Sequence, residues 1–261
     1  MLQVLIPLTR EWRIADLAKE INEVDFLTQD VEVLVIVDNS QLKKATVVNA
    51  FKFDNPKIKS VRVVRFRNGQ PVEANIFERR RRIAKMLNFA KTQLSKKHEL
   101  TLIIEDDPRV KRDDFKKLFY DWQILKKQGV NIGAVSGLQA GRWASKIIGA
   151  WIVDDVEKPK YLKSIDFTMK EVLKRVDATG LYFLLTETDS IKKHEFSGND
   201  LAPDVDFGLY LRRMGKEVVV DWTVKLDHVS RDKIYQVDEN CESLIFVKNP
   251  KGLWKVLDVK K

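Results

Sequence analysis

Short apolar runs alternate with helix-like stretches over the first hundred residues, and this alternation limits the fold more than any other feature. The apolar runs, each predicted to be a strand, are residues 4–8, 31–37, 61–66 and 100–104. Helical spacing of apolar residues fills the intervals, at residues 12–22, 41–51 and 73–96. Strands alternating with helices indicate parallel βαβ units, and uninterrupted apolar strands fit a sheet covered on both faces. We therefore predict an α/β, Rossmann-like three-layer αβα sandwich with a mostly parallel central sheet.

The second half of the chain also contains predicted helices and strands, but they alternate less regularly. Helices are predicted at 113–129 and 202–215, and strands at 131–138, 149–155, 178–187 and 217–229. Residues 230–261 are short and mixed in pattern, which favours a C-terminal tail or hairpin. Because no linker rich in Pro, Gly or Ser interrupts the sequence, we expect a single domain over residues 1–261.

Composition limits the setting and the partners. The chain has 47 Lys and Arg against 38 Asp and Glu, a formal net charge of +9. That surplus favours anionic partners such as nucleotide phosphates, nucleic acid or a membrane surface, although a general lysine bias would give the same number. The single cysteine, Cys241, cannot form an internal disulfide. With no secretory signal and no apolar run of membrane-spanning length, we expect a cytoplasmic protein without a transmembrane segment.

Three acids follow the fourth predicted strand, in the segment LTLIIEDDP that starts at Leu100. Ligands of open α/β sheets bind outside the carboxyl ends of the strands, where Glu105, Asp106 and Asp107 would lie. Alternation along a strand would put Glu105 and Asp107 on one side and Asp106 on the other. Two acids on one side suit a divalent cation shared with phosphates. A solvated turn before Pro108 is the simpler alternative.

Asp38 ends the second predicted strand in the same way. A carboxylate at this position can accept a hydrogen bond from a nucleobase or a ribose hydroxyl. Alternatively, Asp38 or Ser40 caps the helix predicted to start near Gln41.

The run Arg79 to Arg82 lies within the predicted helix 73–96. Extending the 3.6-residue period back from Ile83 puts Arg79 or Arg80 on the inward-facing line, where a guanidinium could bind phosphate. A solvated basic face is the ordinary alternative. A nucleic-acid patch is a third interpretation, which the absence of interleaved aromatic residues disfavours.

Two further features lie near the end of the chain. Asp204 and Asp206 open a predicted helix, where acids favour the helix dipole but could also supply a general base. His228 ends the long strand 217–229 and would gain a role only beside a cleft and a metal.

Taken in order, these segments resemble the GT-A nucleotide-sugar glycosyltransferases, specifically glycosyltransferase family 2. VLIPLTR resembles the first strand of that family, and VEVLVIVDNSQ its strand ending in Asp-Asp-Gly-Ser, with Asn39 replacing the second Asp. LIIEDDP resembles the DxD strand with Glu105 in the first Asp position. RRRRIAKMLNFA and DATGLYFLLTETD resemble the Ala-Arg-Asn helix and the Thr-Gly segment. The stretch 202–229 resembles the Glu-Asp-x-Asp helix and the strand ending in His, with Pro203 replacing the Glu.

The resemblance implies an inverting, metal-dependent transferase with a UDP-sugar as the favoured donor. Residues 1–107 would form the donor-binding half and 108–229 the acceptor and catalytic half. Asp204 would be the catalytic base, Asp206 the runner-up, and Asp107 and His228 the ligands of Mn²⁺ or Mg²⁺. The residues implied in donor binding are Pro7, Thr9, Arg10, Asp38, Asn39, Arg79, Arg80, Glu105 and Asp106.

Two other functions stay open from the sequence. A nucleotidyltransferase would also combine an α/β sheet with metal-binding carboxylates, but the loop PLTREW lacks the glycines of a phosphate loop. A non-catalytic nucleotide or nucleic-acid binding module would fit Asn39, Pro203 and the positive charge. The acceptor of a transferase could be a glycan, a lipid carrier, a protein or modified nucleic acid, and peripheral membrane contact is compatible with the charge.

Overall fold

The fold was established from a computed structural model, which describes residues 1–38, 42–67, 75–140, 149–159, 162–164, 172–237, 243–248 and 254–257. The α-helices are α1 (Ile14–Glu23), α2 (Lys44–Ala50), α3 (Ile76–Gln93), α4 (Asp114–Lys127), α5 (Thr188–Lys193) and α6 (Pro203–Arg213), and Glu11–Arg13 form a 3-10 turn. The strands are β1 (Leu2–Leu8), β2 (Val31–Asp38), β3 (Ile58–Phe66), β4 (Leu100–Ile104), β5 (Pro108–Arg109), β6 (Ile132–Gln139), β7 (Ala150–Val153), β8 (Leu162–Ser164), β9 (Leu173–Val176), β10 (Ala178–Thr179), β11 (Phe183–Glu187), β12 (Glu217–Val229), β13 (Lys233–Val237), β14 (Ser243–Lys248) and β15 (Trp254–Leu257).

The central sheet runs in the order β15-β14-β13-β12-β6-β11-β4-β1-β2-β3. Its first-half strands β3, β2, β1 and β4 are all parallel, as the βαβ pattern predicts. β11 is antiparallel to both neighbours, β4 and β6, and β12 is again parallel to β6. The sheet is therefore mixed, with one parallel half, and the predicted α/β fold class is confirmed.

Helices cover both faces of the sheet because the central strands carry apolar residues on both of their sides. Along β1, Val4 and Ile6 pack in one buried cluster with Leu17 of α1 and Phe115 of α4. Leu5, which points the other way, packs in a second cluster; its helical members include Leu87 of α3 and Phe207 of α6. Burial on both faces produces the three layers and fixes where the strands end.

The loops after β1, β2 and β4 emerge at one edge of the sheet, because these strands are parallel. β5 follows the turn 105–107 and pairs with the end of β12, so that Pro108 lies opposite His228. The backbone N–H of Val229 also donates to the carbonyl of Asp107 at 2.7 Å. The end of β12 is thereby fixed against the acidic turn, although about 120 residues separate them in the sequence.

Several boundaries differ from those predicted. The strand expected at 178–187 is divided into β10 and β11 around Gly180, where a Cβ would lie 2.2 Å from the ring of Tyr182. Residues 230–261 include β13, β14 and β15, an antiparallel extension of the main sheet. The short elements α5, β5, β8 and β9 carry too few residues to give a periodic signal. Within the described residues, no helix combines the length and apolar character needed to cross a membrane.

Candidate functional site

A cavity of about 420 Å³ opens at the carboxyl edge of β1, β2 and β4. Most of the residues predicted to bind a donor line it: Pro7, Thr9, Arg10, Asp38, Arg79, Glu105, Asp106 and Asp107. It also has lining residues that the sequence did not single out, namely Trp12, Arg82, Ile83, Met86, Val229, Ser230, Arg231 and Tyr235. The predicted residues Arg80, Asp204 and His228 are not part of this lining, and Asn39 lies outside the described residues. The fold thus brings three strand ends and the segment after β12 to one site.

Asp106 fixes the loop that follows β1. Its Oδ2 accepts hydrogen bonds from the backbone N–H groups of Thr9 and Arg10 and from the Thr9 hydroxyl, the latter at 2.9 Å. Its Oδ1 forms an ion pair with the Arg10 guanidinium. Because Asp106 is only 2% exposed, these bonds satisfy a buried carboxylate. Its observed contacts hold the cavity wall in place, while its predicted part in donor binding stays a prediction.

Asp107 meets a guanidinium, an imidazole and an amide. Its Oδ2 lies 3.4 Å from Arg10 Nη2 and 3.3 Å from His228 Nε2. Gln139 donates to its Oδ1 at 3.3 Å. β4 ends at Ile104, so strand alternation does not continue through the acids, and Arg10 contacts both Asp106 and Asp107. The prediction that Asp106 points away from Glu105 and Asp107 is therefore corrected, because Asp106 and Asp107 share Arg10 as a partner.

His228 is positioned by its other ring nitrogen. Nδ1 lies 3.1 Å from the carbonyl of Ala140, an acceptor, so Nδ1 carries the proton and donates it there. The lone pair or second proton of Nε2 then faces Asp107. An imidazole held in this way is the usual arrangement of a metal-binding histidine.

The pair Asp107 and His228 offers two of the ligands that a divalent cation needs. A hard cation bound mainly through substrate phosphates commonly takes only one or two carboxylates from the protein. Among the described residues, no group of three or more His, Cys, Asp and Glu is arranged to hold a metal ion. The donor set therefore fits a cation that is completed by phosphate oxygens and water, and it does not form an all-protein metal cage.

Asp38 is buried at the end of β2 and pairs with Arg82. Both Nε and Nη2 of Arg82 contact Asp38 Oδ2. α2 begins at Lys44 with Lys43 at its N-cap, so Asp38 does not cap that helix. The alternative that Asp38 serves only as a helix cap is therefore wrong.

The arginine that turns inward from α3 is Arg82, which is 8% exposed. Arg79 and Arg80 are half-buried; Arg79 lines the cavity, and the Arg80 guanidinium lies 5.9 Å from the ring centroid of Phe77. The prediction that Arg79 or Arg80 faces inward is therefore corrected to Arg82. Arg82 lies one helical turn before Met86 and two before Ala90, and both of those residues are buried. Ile83, from which the period was extended, is only half-buried.

Glu105 has an unusual protonation equilibrium. Burial, followed by the negative charges of Asp107 and Asp204, raises the pKa of Glu105 to about 8, although Arg10 and Arg79 act in the opposite direction. Its backbone N–H donates to the carbonyl of Tyr182 at 3.1 Å, which fixes the start of the turn. Near neutral pH this side chain can either donate or accept a hydrogen bond.

Asp204 and Asp206 diverge although they share the first turn of α6. Burial raises the pKa of Asp204, against hydrogen bonds from the backbone of Val205 and of Asp204 itself and the charge of Arg80. Burial also opposes ionisation of Asp206. The hydrogen bond and charge of His194, with the N–H of Ser197 at 3.2 Å, outweigh that effect and lower the pKa of Asp206. Burial therefore disfavours the charge of Asp204, whereas the partners of Asp206 stabilise its charge.

Close packing determines how near α6 comes to the cleft. A Cβ on Gly208 would lie 2.5 Å from Cα of Ala178 in β10. This contact is too short, and a backbone atom cannot move aside as a side chain could. The glycine lets α6 lie directly on β10, one turn after Asp204. Asp204 thereby comes close enough to Glu105 for their charges to interact.

Arg13, which the sequence did not single out, supports the acidic turn from behind. Its side chain is 1% exposed, and Nη2 donates to the carbonyl of Pro108 at 2.7 Å and to Glu20 at 2.8 Å. Arg231 and Tyr235 were also missed, because they belong to the C-terminal segment expected to be a tail. Tyr235 packs its ring 5.7 Å from that of His228.

Comparisons with known proteins support the fold. No protein-family model matches the sequence, and no curated protein matches it. Among solved structures, TarS 1-349 from S. aureus in complex with UDP-GlcNAc has a TM-score of 0.52 at 15% identity, over 84% of this chain and 55% of that one. The same protein in complex with UDP has a TM-score of 0.50 at 17% identity, over 84% and 57%. A197 from STIV matches over 100% of this chain and 98% of that one, at 13% identity and a TM-score of 0.47.

The chain spans a little over half the length of those TarS structures. At these identities the likeness concerns the fold alone, and it agrees with the GT-A arrangement expected from the sequence.

Proposed function

We propose that this protein is a glycosyltransferase that moves a sugar from a nucleotide-sugar, with a UDP-sugar as the favoured donor, to an acceptor hydroxyl. One observation carries the proposal. On a GT-A fold, a single cavity gathers the carboxylates of Asp38, Glu105 and Asp107 with the guanidinium groups of Arg10 and Arg79. The TarS structures, which share the fold, hold UDP-GlcNAc and UDP.

The donor nucleotide would be recognised by the two carboxylates at the ends of β2 and β4. Arg82 orients Asp38 as an acceptor for a base N–H. Glu105, with its pKa near neutrality, would bond a ribose hydroxyl in either direction. Asp106 would act indirectly, by fixing the loop of Thr9 and Arg10.

Two guanidinium groups of the cavity lining would meet the diphosphate. Arg10 and Arg79 would neutralise charge on the leaving nucleoside diphosphate. Asp107 and His228 would hold Mn²⁺ or Mg²⁺, which when bound supplies Lewis-acid stabilisation of the same charge.

Transfer would proceed as a single displacement with inversion. The acceptor oxygen forms a bond to the anomeric carbon while the bond from that carbon to the diphosphate oxygen breaks. Asp204 takes the proton of the acceptor hydroxyl, and the leaving diphosphate keeps the bonding electrons. A carboxylate whose pKa is raised by burial is a stronger base than an exposed one, which suits this role.

A thermal-shift screen of nucleotide-sugars, with and without Mn²⁺, tests the donor assignment. A bound donor should raise the melting temperature, since ligands that bind only the folded state stabilise it. Asp107→Ala should remove the Mn²⁺-dependent part of this stabilisation, and unchanged metal dependence would exclude Asp107 as a ligand. Stabilisation by nucleoside triphosphates, with none by nucleotide-sugars, would instead favour the nucleotidyltransferase alternative.

Asp204→Asn separates binding from chemistry. We expect the variant to bind the donor as the wild type does. It should lose sugar transfer, and it should also lose any hydrolysis of the donor by water. Retained turnover would assign the base to another group. Donor binding by the wild type without transfer to any acceptor class would favour a non-catalytic binding module.

A further inference from the structure

The Arg10 guanidinium occupies the place beside Asp107 that a cation would take. One nitrogen, Nη1, contacts Asp106, and the other, Nη2, lies 3.4 Å from Asp107 Oδ2. The same oxygen of Asp107 lies 3.3 Å from His228 Nε2. The two carboxylate side chains are only 3% and 7% exposed, whereas that of Arg10 is 20% exposed. Arg10 therefore neutralises a pair of nearly buried acids from the open side of the site.

A divalent cation and the guanidinium cannot both bind this oxygen at short range. Two like charges about 4 Å apart repel by several kcal/mol at the effective dielectric constant of a partly buried site. A metal ion at Asp107 and His228 would thus have to displace Arg10 Nη2.

We propose that Arg10 is an exchangeable counter-ion: it neutralises Asp107 in the donor-free protein and transfers to the donor diphosphate when a divalent cation binds. This inference rests on the proposed function, because it assigns the cation to Asp107 and His228 and the diphosphate to the cavity.

The local structure lets the side chain move while the backbone stays. The N–H of Arg10 donates to Asp106 Oδ2 at 2.7 Å, and Thr9 bonds the same oxygen. These backbone bonds hold the loop and keep Asp106 satisfied without help from the guanidinium. Arg10 itself lines the cavity of about 420 Å³ and can turn into it.

The exchange makes metal and donor binding cooperative. Without donor, the cation must displace Arg10 from Asp107 and leaves Nη2 of the guanidinium without its carboxylate partner. With donor, the diphosphate offers Arg10 a new anionic partner, and a guanidinium binds phosphate oxygens well. By linkage, the donor then raises metal affinity by the same factor as the metal raises donor affinity.

The test measures Mn²⁺ affinity of the full chain by calorimetry and by the electron-spin-resonance signal of free Mn²⁺, without UDP and with saturating UDP. Arg10→Gln removes the charge and keeps a hydrogen-bonding side chain. We expect it to bind Mn²⁺ about tenfold more tightly than the wild type without UDP, within the usual range of couplings between sites. We also expect UDP to raise Mn²⁺ affinity less in this variant than in the wild type.

Arg231→Gln is the matched control, because it removes one positive charge from the same cavity lining. It should change Mn²⁺ affinity less than threefold, on the scale of a screened, exposed charge. Arg10→Lys serves if Arg10→Gln fails to fold. It keeps the charge but its compact ammonium group cannot bridge Asp106 and Asp107, so Mn²⁺ should again bind more tightly than to the wild type.

The outcomes separate this inference from the proposed function. Equal Mn²⁺ affinity of the wild type and the Arg10 variants, with Asp107→Asn abolishing binding, would overturn the exchange and leave the metal site intact. An equal gain in Arg10→Gln and Arg231→Gln would also overturn it, since general electrostatics would then explain the effect. Absence of Mn²⁺ binding in every protein, even with UDP, would overturn the exchange and the metal assignment together.

Discussion

The turn after β4 and the first turn of α6 each contain neighbouring acids with opposite surroundings. Asp106 is held by Thr9 and Arg10, whereas the neighbouring Glu105 has its pKa raised to about 8 by burial and nearby acids. On α6, Asp206 is held by His194 and Ser197, whereas burial raises the pKa of Asp204. In each turn, hydrogen bonds and ion pairs stabilise the charge of one acid, and burial disfavours the charge of another.

Closely spaced acids therefore need not share a role. An acid that accepts several hydrogen bonds stabilises the fold through its charge. An acid whose charge is disfavoured by burial lowers the free energy of unfolding at neutral pH. Such an acid is typical of a site that binds a ligand or exchanges a proton. The two kinds respond oppositely to neutralisation, which gives the following predictions.

The largest effect is expected at Asp106. Asp106→Ala would leave the Arg10 guanidinium and two backbone N–H groups without their acceptor, and losing one partner of a buried ion pair costs about 3–5 kcal/mol. The loss should appear as a lower urea midpoint with an unchanged m-value. Glu105→Gln in the same turn is the control and should retain or raise stability at pH 7, because folding then no longer requires uptake of the proton that the raised pKa of Glu105 demands. Equal losses in the two variants would break the proposed division.

A smaller effect of the same sign is expected on α6. Asp206→Ala removes the partner of the buried His194 and the acceptor of Ser197 N–H, which should cost about 1–3 kcal/mol. Asp204→Asn should leave the free energy of unfolding unchanged or raise it at pH 7. Urea unfolding of both variants measures the contrast, and destabilisation by Asp204→Asn comparable to that of Asp206→Ala would contradict it.

The smallest effect concerns a third pair, Asp121 and Asp221, on the α4 side of the sheet. Burial, then the hydrogen bond and charge of Asp221, raise the pKa of Asp121 to about 7. The unfolded value is about 3.9, so the folded state binds this proton more tightly, and the stability it contributes is complete below that value and is lost as pH rises through about 7. Asp121→Asn should therefore raise the urea midpoint relative to the wild type at pH 8 more than at pH 5. An equal change of the urea midpoint at pH 5 and pH 8 would contradict the raised pKa of Asp121. This pair also shows that a raised pKa marks a functional site only where it lies in a cleft.

The sequence was sufficient to predict the parallel half of the sheet, because apolar runs alternate there with stretches of helical spacing. It also placed Asp38 and the acids 105–107 at one edge, since parallel strands end together. The anchoring contacts could not be predicted. Arg10 and Asp106 are 96 residues apart, and nothing in the local pattern of either indicates the other.

The inward arginine was missed for a different reason. The period of α3 was extended back from Ile83, which is only half-buried, whereas Met86 and Ala90 give the line that leads to Arg82. The opposite pKa shifts of Asp204 and Asp206 also follow from tertiary contacts, which spacing on a helix does not specify. The segment 230–261 was predicted only as a tail or hairpin, because an edge extension carries fewer core residues than a central strand.

The pairing of β13 with the end of β12 also sets when the cavity can exist during synthesis. Ser230, Arg231 and Tyr235 line it, and β13 gains its second neighbour only when β14, ending at Lys248, has formed. A nascent chain that has made the ends of β1, β2 and β4 therefore still lacks one wall of this cavity. The cavity is complete only after β13 and β14 have been synthesised and paired, so it forms later than the strands that carry its acids.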